Sequence, residues 1–172
     1  MNTDGLTSFN WANNNTAIGL ADSGEGGIPS FQVINSTQST ISATITVTPS
    51  YENNGIICDG NAETFTIVVN PSPEMDNVDD IVLCNNEISS IIEFTTPNTD
   101  GNTTYNWTND NTSIGLSSGG NGDIPSFTAI NLTPITEVAI ITVIPTYENN
   151  GVVCIGNAQT FLSLIHISEP TR

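Results

Sequence analysis

Hydrophobic and polar residues alternate in several short runs of this chain, a pattern typical of half-buried β-strands. Residues 7–13 alternate around Phe9 and Trp11, and residues 41–49 place Ile, Ala, Ile and Val at every second position. Further strands are predicted at residues 29–35, 56–58, 64–70, 80–84 and 88–95. Strong helix formers almost never occur in runs. The pattern therefore predicts an all-β protein.

Polar segments rich in Asn, Gly and Ser separate these runs. The longest covers residues 14–27 and carries Ile18 and Leu20, which we expect to pack back against the sheets. The dipeptide Asn54-Gly55 suits the positive φ angles of a tight hairpin turn.

One stretch of the chain occurs twice. Residues 107–127 are WTNDNTSIGLSSGGNGDIPSF, and residues 11–31 are WANNNTAIGLADSGEGGIPSF. The two tryptophans are 96 residues apart, and the same spacing separates Cys58 from Cys154 and continues, without insertion or deletion, to Phe161. A fixed period indicates tandem modules. We call two positions that are 96 residues apart equivalent.

Each module has about the size of an immunoglobulin-like sandwich, ~100 residues. The period predicts a first module at residues 1–73, truncated at its N-terminus, and a second at residues 74–161, truncated at its C-terminus. Pro71 and Pro73 cannot continue a strand ladder, so they predict a stiff linker at the end of the first module. The predicted fold is a tandem of immunoglobulin-like antiparallel β-sandwich modules.

The sequence changes character at residues 162–172, LSLIHISEPTR, which break the repeat. This string resembles the in-frame translation of a sequencing-library adapter, and it contains the chain's only His and only Arg. We interpret it as an artefactual tail, with a divergent natural C-terminus as the alternative. Its apolar part is nevertheless expected to occupy a strand position.

Charge excludes several classes of partner. The chain has 18 acidic residues and one basic residue, a formal net charge of −17. A nucleic-acid-binding protein needs Lys and Arg against phosphates, and an anionic membrane surface would repel this chain. We therefore expect neither nucleic-acid binding nor membrane insertion.

The 96-residue period predicts how the three cysteines pair. The second module holds Cys84 and Cys154, whereas Cys58 of the first module would have its mate upstream of residue 1. We expect a Cys84–Cys154 disulfide, which implies an oxidising, extracytoplasmic compartment. Buried free thiols and a Cys58–Cys84 bridge are the alternatives.

Catalytic chemistry has few possible carriers. Before the tail there is no His, Lys or Arg, which excludes His-based triads, Schiff bases and arginine clamps. We therefore predict no enzyme activity, no catalytic residue and no cofactor. Calcium is the one metal considered, because Asp, Glu and loop carbonyls are its ligands. Its candidate ligands are Glu74, Asp76, Asp79 and Asp80 at the module junction, with Asp22, Glu25 and Asp123 in the loops; ordinary solvated acids are the alternative.

The aromatic residues of the repeated stretch raise the question of a binding site. Trp11 and Trp107 fall in the apolar phase of predicted strands, which favours the core of a sandwich over an exposed contact. Phe31 and Phe127 are assigned to the same core.

The motif W-x-N-x-N-T-x-I-G-L…I-P-x-F, with TFTIVVNP at residues 64–71, resembles a known family. It is similar to the PKD-like, immunoglobulin-like modules that occur in tandem in large secreted surface proteins of gliding bacteria of the Bacteroidetes kind. Tyr105 and Trp107 match the PKD pattern, but its Gly-Asp-Gly is missing. The resemblance implies a cell-surface or secreted location and carries no catalytic residue.

From this resemblance we expect a non-catalytic structural or adhesive spacer of a gliding-motility-associated or adhesin-like repeat protein, whose secretion signal lies outside this sequence. Its partners would be neighbouring repeats of the same chain, with surface glycans or proteins as further candidates. One alternative is a carbohydrate- or protein-binding module that uses the long loop after the tryptophan. Another is an accessory domain of a secreted hydrolase.

Overall fold

The computed structural model describes residues 4–167 and confirms the all-β prediction. The chain divides into two compact units, one ending at Pro71 and the other beginning at Ser72. In the described residues the helical elements are two three-residue 3-10 helices, Thr16–Ile18 and Thr112–Ile114. No helix in this range is long and apolar enough to cross a membrane.

The first unit is built on one long central strand. Its strands are β1 (Leu6–Asn13), β2 (Ser23–Glu25), β3 (Ile41–Asn53), β4 (Ile56–Asp59) and β5 (Glu63–Val69). β3 pairs with β1, which in turn pairs with β2, and it also pairs with both β4 and β5. All of these pairs are antiparallel.

The hairpin between β3 and β4 shows why its sequence forms this turn. Asn53 lies opposite Ile56, so only Asn54 and Gly55 remain in the loop. Their φ angles are 49° and 78°, which is the positive-φ geometry that Asn-Gly adopts most readily. Strand β3 runs four residues past its predicted end at residue 49 because this tight turn lets the pairing continue up to the loop.

The second unit has a larger sheet. Its strands are β6 (Ile81–Cys84), β7 (Asn102–Asn109), β8 (Gly119–Asn121), β9 (Glu137–Asn149), β10 (Val152–Ile155) and β11 (Gln159–His166). Their order is β6-β11-β9-β7-β8, with β10 paired to β9. The pair β6–β11 is parallel, which corrects the prediction of a purely antiparallel sheet. A parallel pair is possible here because β6 and β11 are far apart in sequence, and parallel strands need a long connection.

A second layer covers one face of this sheet. Residues 86–94 run antiparallel to residues 123–129, with bridges Ile88–Thr128 and Ile92–Ile124. Phe94 and Ile124 belong to the same core cluster as Trp107, Ile141 and Phe161 of the sheet. The second unit is therefore a β-sandwich-like arrangement of two layers around one core.

The strand predicted at residues 29–35 is not formed in the first unit, where these residues have no regular secondary structure. The strand predicted at 88–95 is reduced to isolated bridges in the second unit. A strand needs a ladder of backbone hydrogen bonds, and within residues 4–71 no strand pairs with 29–35, where the Ile34 amide donates to the Ile18 carbonyl at 3.0 Å in the loop.

Residues Leu162–His166 of the string interpreted as a tail lie in β11, where Leu164 opposes Val138. In the first unit Val68 opposes Ser42 at the equivalent position of β5. An alternating apolar string of any origin can fill this place, so the interpretation of residues 162–172 stays a prediction. Residues 168–172 lie outside the described residues.

Candidate functional site

In each unit, the loop between the tryptophan strand and the Ile-Pro segment is held by several side-chain hydrogen bonds. In the second unit it spans residues 110–123, and one buried side chain organises its first half. The Asn109 side-chain amide donates to the carbonyls of Leu116 and Ser117, both at 3.1 Å, and its oxygen accepts from the Asn111 amide at 3.0 Å. Asn13 makes the equivalent three bonds in the first unit.

A second asparagine starts the short helix of the loop. The Asn111 oxygen accepts from the backbone of Ser113 at 3.1 Å, which is an N-cap, while its amide donates to the Val138 carbonyl at 3.0 Å. The helix ends at Gly115, whose φ of 92° is unfavourable for any residue with a Cβ. A Cβ there would also lie 2.2 Å from the Thr128 carbonyl oxygen.

The indole of each tryptophan lies under the loop. Trp107 is 2% exposed and Trp11 is 4% exposed, so both belong to the core. A Cβ built on Gly120 would lie 2.7 Å from Cζ2 of Trp107, and one built on Gly24 would lie 2.4 Å from Cζ2 of Trp11. The strand β8, or β2 in the first unit, can therefore cross the ring only because glycine stands there.

A shallow groove lies beside this loop in each unit. In the second unit it measures about 580 Å³ and is lined by Thr103, Thr104, Tyr105, Asn106, Asn121, Gly122 and Thr146. In the first unit the groove measures about 530 Å³ and is lined by Thr7, Ser8, Phe9, Asn10, Glu25 and Gly26. Six of the seven second-unit positions are equivalent to the six of the first. The lining of the second groove offers hydroxyl and amide groups, which suit neutral polar ligands, whereas Glu25 adds a carboxylate to the first groove.

Tyr105 is the one described residue of the groove with a perturbed acidity. Burial raises the pKa of its phenol and is the largest cause; interaction with the Thr96 side chain lowers this pKa, and the carboxylates of Asp76 and Asp123 raise it. The ring of Tyr105 packs against Phe94 with centroids 5.3 Å apart. The phenol is therefore protonated at neutral pH and packs against an aromatic ring.

The four junction carboxylates considered for calcium are not brought together. Within residues 4–167 no group of three or more Asp, Glu, His or Cys side chains is placed to hold a metal ion. Asp76 accepts from the Thr95 hydroxyl at 2.6 Å, and Asp80 accepts from the Leu162 amide at 2.8 Å. Asp79 accepts from the Asn77 amide at 3.3 Å.

Glu74, the fourth junction candidate, contributes its backbone to the fold, donating to the Asn98 oxygen at 2.7 Å. In the loops Asp123 accepts from the Phe94 amide at 2.9 Å and Asp22 from the Ser23 hydroxyl at 3.4 Å, while Glu25 lines the first groove. Each bonded carboxylate serves a separate local contact, and calcium binding by these residues stays a prediction.

The structure contradicts the predicted Cys84–Cys154 disulfide, since both thiols are free. Cys154 lies opposite Tyr147, near one end of β9. Cys84 lies opposite His166, beyond the other end of that strand. About eleven strand residues therefore separate the two cysteines, which is about 35 Å, whereas a disulfide needs Cα atoms within about 7 Å. Cys58 is exposed and free as well, so the Cys58–Cys84 alternative is not formed.

The remaining predicted core residues divide between the units. Phe127 is 8% exposed, whereas its equivalent Phe31 is only partly buried against the first core. The repeated motif contains Asn109 and Asn111, but the sequence did not predict that their side chains hold the loop by hydrogen bonds. Asn131 has a similar role, because its side-chain amide donates to the Ile135 and Ile165 carbonyls. The available signal was that these amides recur at equivalent loop positions.

Comparison with known proteins adds no family. A scan against protein-family models gave no match, and a search of curated proteins gave none either.

Proposed function

We propose that this chain is a non-catalytic structural or adhesive spacer, a part of a large secreted or cell-surface repeat protein, and that its two units are tandem PKD-like, immunoglobulin-like modules. The observation that supports this is the agreement of strand register between the units. Leu6 opposes Glu52 in β1–β3, and Asn102 opposes Glu148 in β7–β9, with both partners shifted by 96 residues. The same shift relates the bounds of β3 and β9.

A spacer is built by repeating one unit, and its length should then be proportional to the number of units. The strong acidity and the near absence of Lys and Arg suit a surface that neighbouring chains repel. The shared loop wiring, with Asn13 and Asn109 in the same bonds, fits a module whose loop is a structural part of every copy.

The test measures length directly. Chains carrying one, two and three further copies of residues 72–167 are compared by small-angle X-ray scattering. A spacer predicts that the maximum dimension grows by a constant increment, of about 40 Å if the long central strand lies along the axis. Growth that levels off as copies are added, as in a globule, would contradict the proposal. A chain with Pro71→Gly and Pro73→Gly tests the linker. A flexible linker should make the increase in maximum dimension per added copy less constant.

The paired grooves support a second candidate, a module that binds surface glycans or proteins. Asn106 donates to Asn121 at 2.9 Å across the groove, and this amide pair could exchange partners with sugar hydroxyls. Titration of the chain with neutral oligosaccharides, followed by NMR shifts, is the test. Binding that Asn106→Ala weakens and Asn157→Ala leaves unchanged would support this candidate. Unshifted groove resonances would exclude it for the sugars used.

A further inference from the structure

Three Asn-Gly dipeptides occur in the chain, Asn54-Gly55, Asn121-Gly122 and Asn150-Gly151. Asparagine is a thermolabile residue, and it loses its side-chain amide most readily before glycine, whose lack of a Cβ leaves its backbone nitrogen unhindered. All six residues are exposed, and a Cβ built on any of the three glycines would meet nothing within 4 Å. The three dipeptides are therefore matched in sequence, exposure and free space.

Deamidation begins with an attack by the backbone nitrogen of the residue that follows the asparagine. A bond forms between this nitrogen and Cγ of the asparagine side chain, and the bond from Cγ to the side-chain nitrogen breaks. Ammonia leaves with the proton of the backbone N–H, and a five-membered succinimide remains. Water then opens the ring at either of its two carbonyls, giving aspartate or isoaspartate. Because water is the only co-reactant, the rate depends on how free the backbone N–H and the side-chain carbonyl are to react.

The Asn121-Gly122 dipeptide is held by two hydrogen bonds. The Gly122 amide donates to the Tyr105 carbonyl at 2.9 Å, and the Asn121 side-chain oxygen accepts from the Asn106 side-chain amide at 2.9 Å. The first bond keeps the proton on the nitrogen that must attack, and the second restrains the carbonyl group that must be attacked. Both bonds must break before the succinimide can form.

The two hairpin tips differ from this dipeptide and from each other. The Gly151 amide donates to the Glu148 carboxylate at 3.2 Å, which is a single bond to an exposed side chain. Among the described residues the Gly55 amide finds no acceptor, and the Asn54 side chain makes no hydrogen bond. Glu52 is equivalent to Glu148 but forms no such bond with Gly55. The hairpin of the first unit therefore leaves both reacting groups unrestrained.

We propose that Asn54 is a site of spontaneous deamidation in the folded protein, and that Asn150 reacts more slowly and Asn121 most slowly. The product adds a carboxylate to the tip of the hairpin between β3 and β4. Isoaspartate also adds one methylene group to the backbone of a loop that has only two residues, at φ angles of 49° and 78°. The lengthened loop no longer has the geometry of this turn, so the Asn53–Ile56 pair should open. This modification goes beyond the spacer function and does not depend on it.

The test follows the full 172-residue chain during incubation at 37 °C, at pH 7.4 and at pH 9. Cleavage after glutamate places the three asparagines in separate peptides, which begin at residues 53, 94 and 149. Mass spectrometry measures the conversion of each amide to an acid. Asn54 should convert about threefold faster than Asn150 and about tenfold faster than Asn121, because one and two hydrogen bonds respectively must break first in the slower sites. All three rates should rise at pH 9, where hydroxide removes the N–H proton more often.

A matched pair of variants tests the role of the glycine N–H. Glu148→Ala removes the acceptor of the Gly151 amide, so the conversion of Asn150 should become about threefold faster and approach that of Asn54. Glu52→Ala makes the equivalent change in the first unit and should leave the rate of Asn54 unchanged. In denaturing urea, where the folded contacts are lost, the three asparagines should convert at similar rates.

Hydrogen exchange of the converted protein tests the consequence for the hairpin. Protection of the amides of Asn53 and Ile56 should decrease once Asn54 has become isoaspartate, and protection in β9 and β10 should stay unchanged while Asn150 is intact.

Three results would overturn the proposal. The first is equal conversion of Asn54 and Asn121 in the folded chain. The second is an order of rates that persists in urea, which would assign the difference to sequence and not to the fold. The third is acceleration of Asn54 by Glu52→Ala as large as that of Asn150 by Glu148→Ala, which would assign the effect to charge.

Discussion

Phe9 in the first unit and Tyr105 in the second occupy equivalent places on equivalent strands, yet one ring is 46% exposed and the other 8%. The strand register around them is the same. The difference comes from Phe94, which packs on Tyr105 and has no counterpart within residues 4–71. Pairing of strands and burial of their side chains are therefore separable in this molecule.

The two hydrophobic cores also differ in burial although their strands pair alike. The first unit has a cluster of six buried apolar residues, Trp11, Ile18, Leu20, Ala43, Ile45 and Val69, and each of them has a buried equivalent in the second cluster of fifteen. The nine additional residues of the second cluster are of two kinds. Three come from the segment of residues 74–96, and six have first-unit equivalents that are less buried. One segment thus accounts for the larger core directly and through what it covers.

The largest expected difference in stability between the units lies at one pair of equivalent phenylalanines, Phe161 and Phe65. Phe161→Ala should destabilise the second unit by about 3–4 kcal/mol, because it removes a ring that is 5% exposed in a close-packed core. Phe65→Ala should cost the first unit only about 1 kcal/mol, because that ring is 46% exposed. Hydrogen exchange at increasing urea, resolved by unit, measures both. Equal losses would show that burial in the two units is the same.

A somewhat smaller effect should be equal in the two units. Asn109→Ala and Asn13→Ala each remove three hydrogen bonds and leave buried or half-buried backbone groups unpaired, so each should cost about 2–3 kcal/mol. The control is Asn106→Ala, whose side chain is exposed and should cost about 0.5 kcal/mol or less. Urea unfolding of each variant measures the loss. Clearly unequal costs for Asn13 and Asn109 would show that the loop is wired differently in the two units.

The third comparison uses the two glycines that lie against a tryptophan ring, Gly120 and Gly24. Gly120→Ala and Gly24→Ala place a methyl group within 2.7 and 2.4 Å of an indole carbon, and the forced shift should cost about 1–3 kcal/mol in each unit. Gly27→Ala is the matched control, because nothing lies within 4 Å of its Cβ position. Thermal unfolding followed by tryptophan fluorescence reports on both rings. A neutral Gly120→Ala would mean that the strand moves off the ring without cost.

The smallest effect concerns pH and only the second unit. Burial raises the pKa of Tyr105, so above pH ~10, where the phenol of an unfolded chain ionises, the folded unit retains a proton that the unfolded chain has lost. Stability should therefore be complete below pH ~10 and fall as the pH rises beyond it. Urea unfolding at pH 9 and pH 11 measures the fall. Tyr105→Phe should reduce it, and an identical fall in this variant would assign the effect to other groups.

Much of the candidate site could be predicted because its signals are local. The Asn-Gly turn, the alternating apolar positions of the central strands and the burial of Trp11 and Trp107 depend on residues that are close in sequence. The short strands β2 and β8 could not be predicted, since Ser23–Glu25 and Gly119–Asn121 carry no apolar alternation. They form because a glycine lets the chain pass over an indole that comes from another strand.

The sequence by itself determined that this protein is all-β and where its principal strands lie, because a two-residue alternation and turn dipeptides specify local backbone geometry. Only the tertiary structure decided which side chains those strands bury. The separation of Cys84 from Cys154 along β9, the dispersal of the junction carboxylates and the exposure of Phe9 all depend on long-range pairing. Burial requires a partner from elsewhere in the chain, and no local pattern records whether that partner is in place.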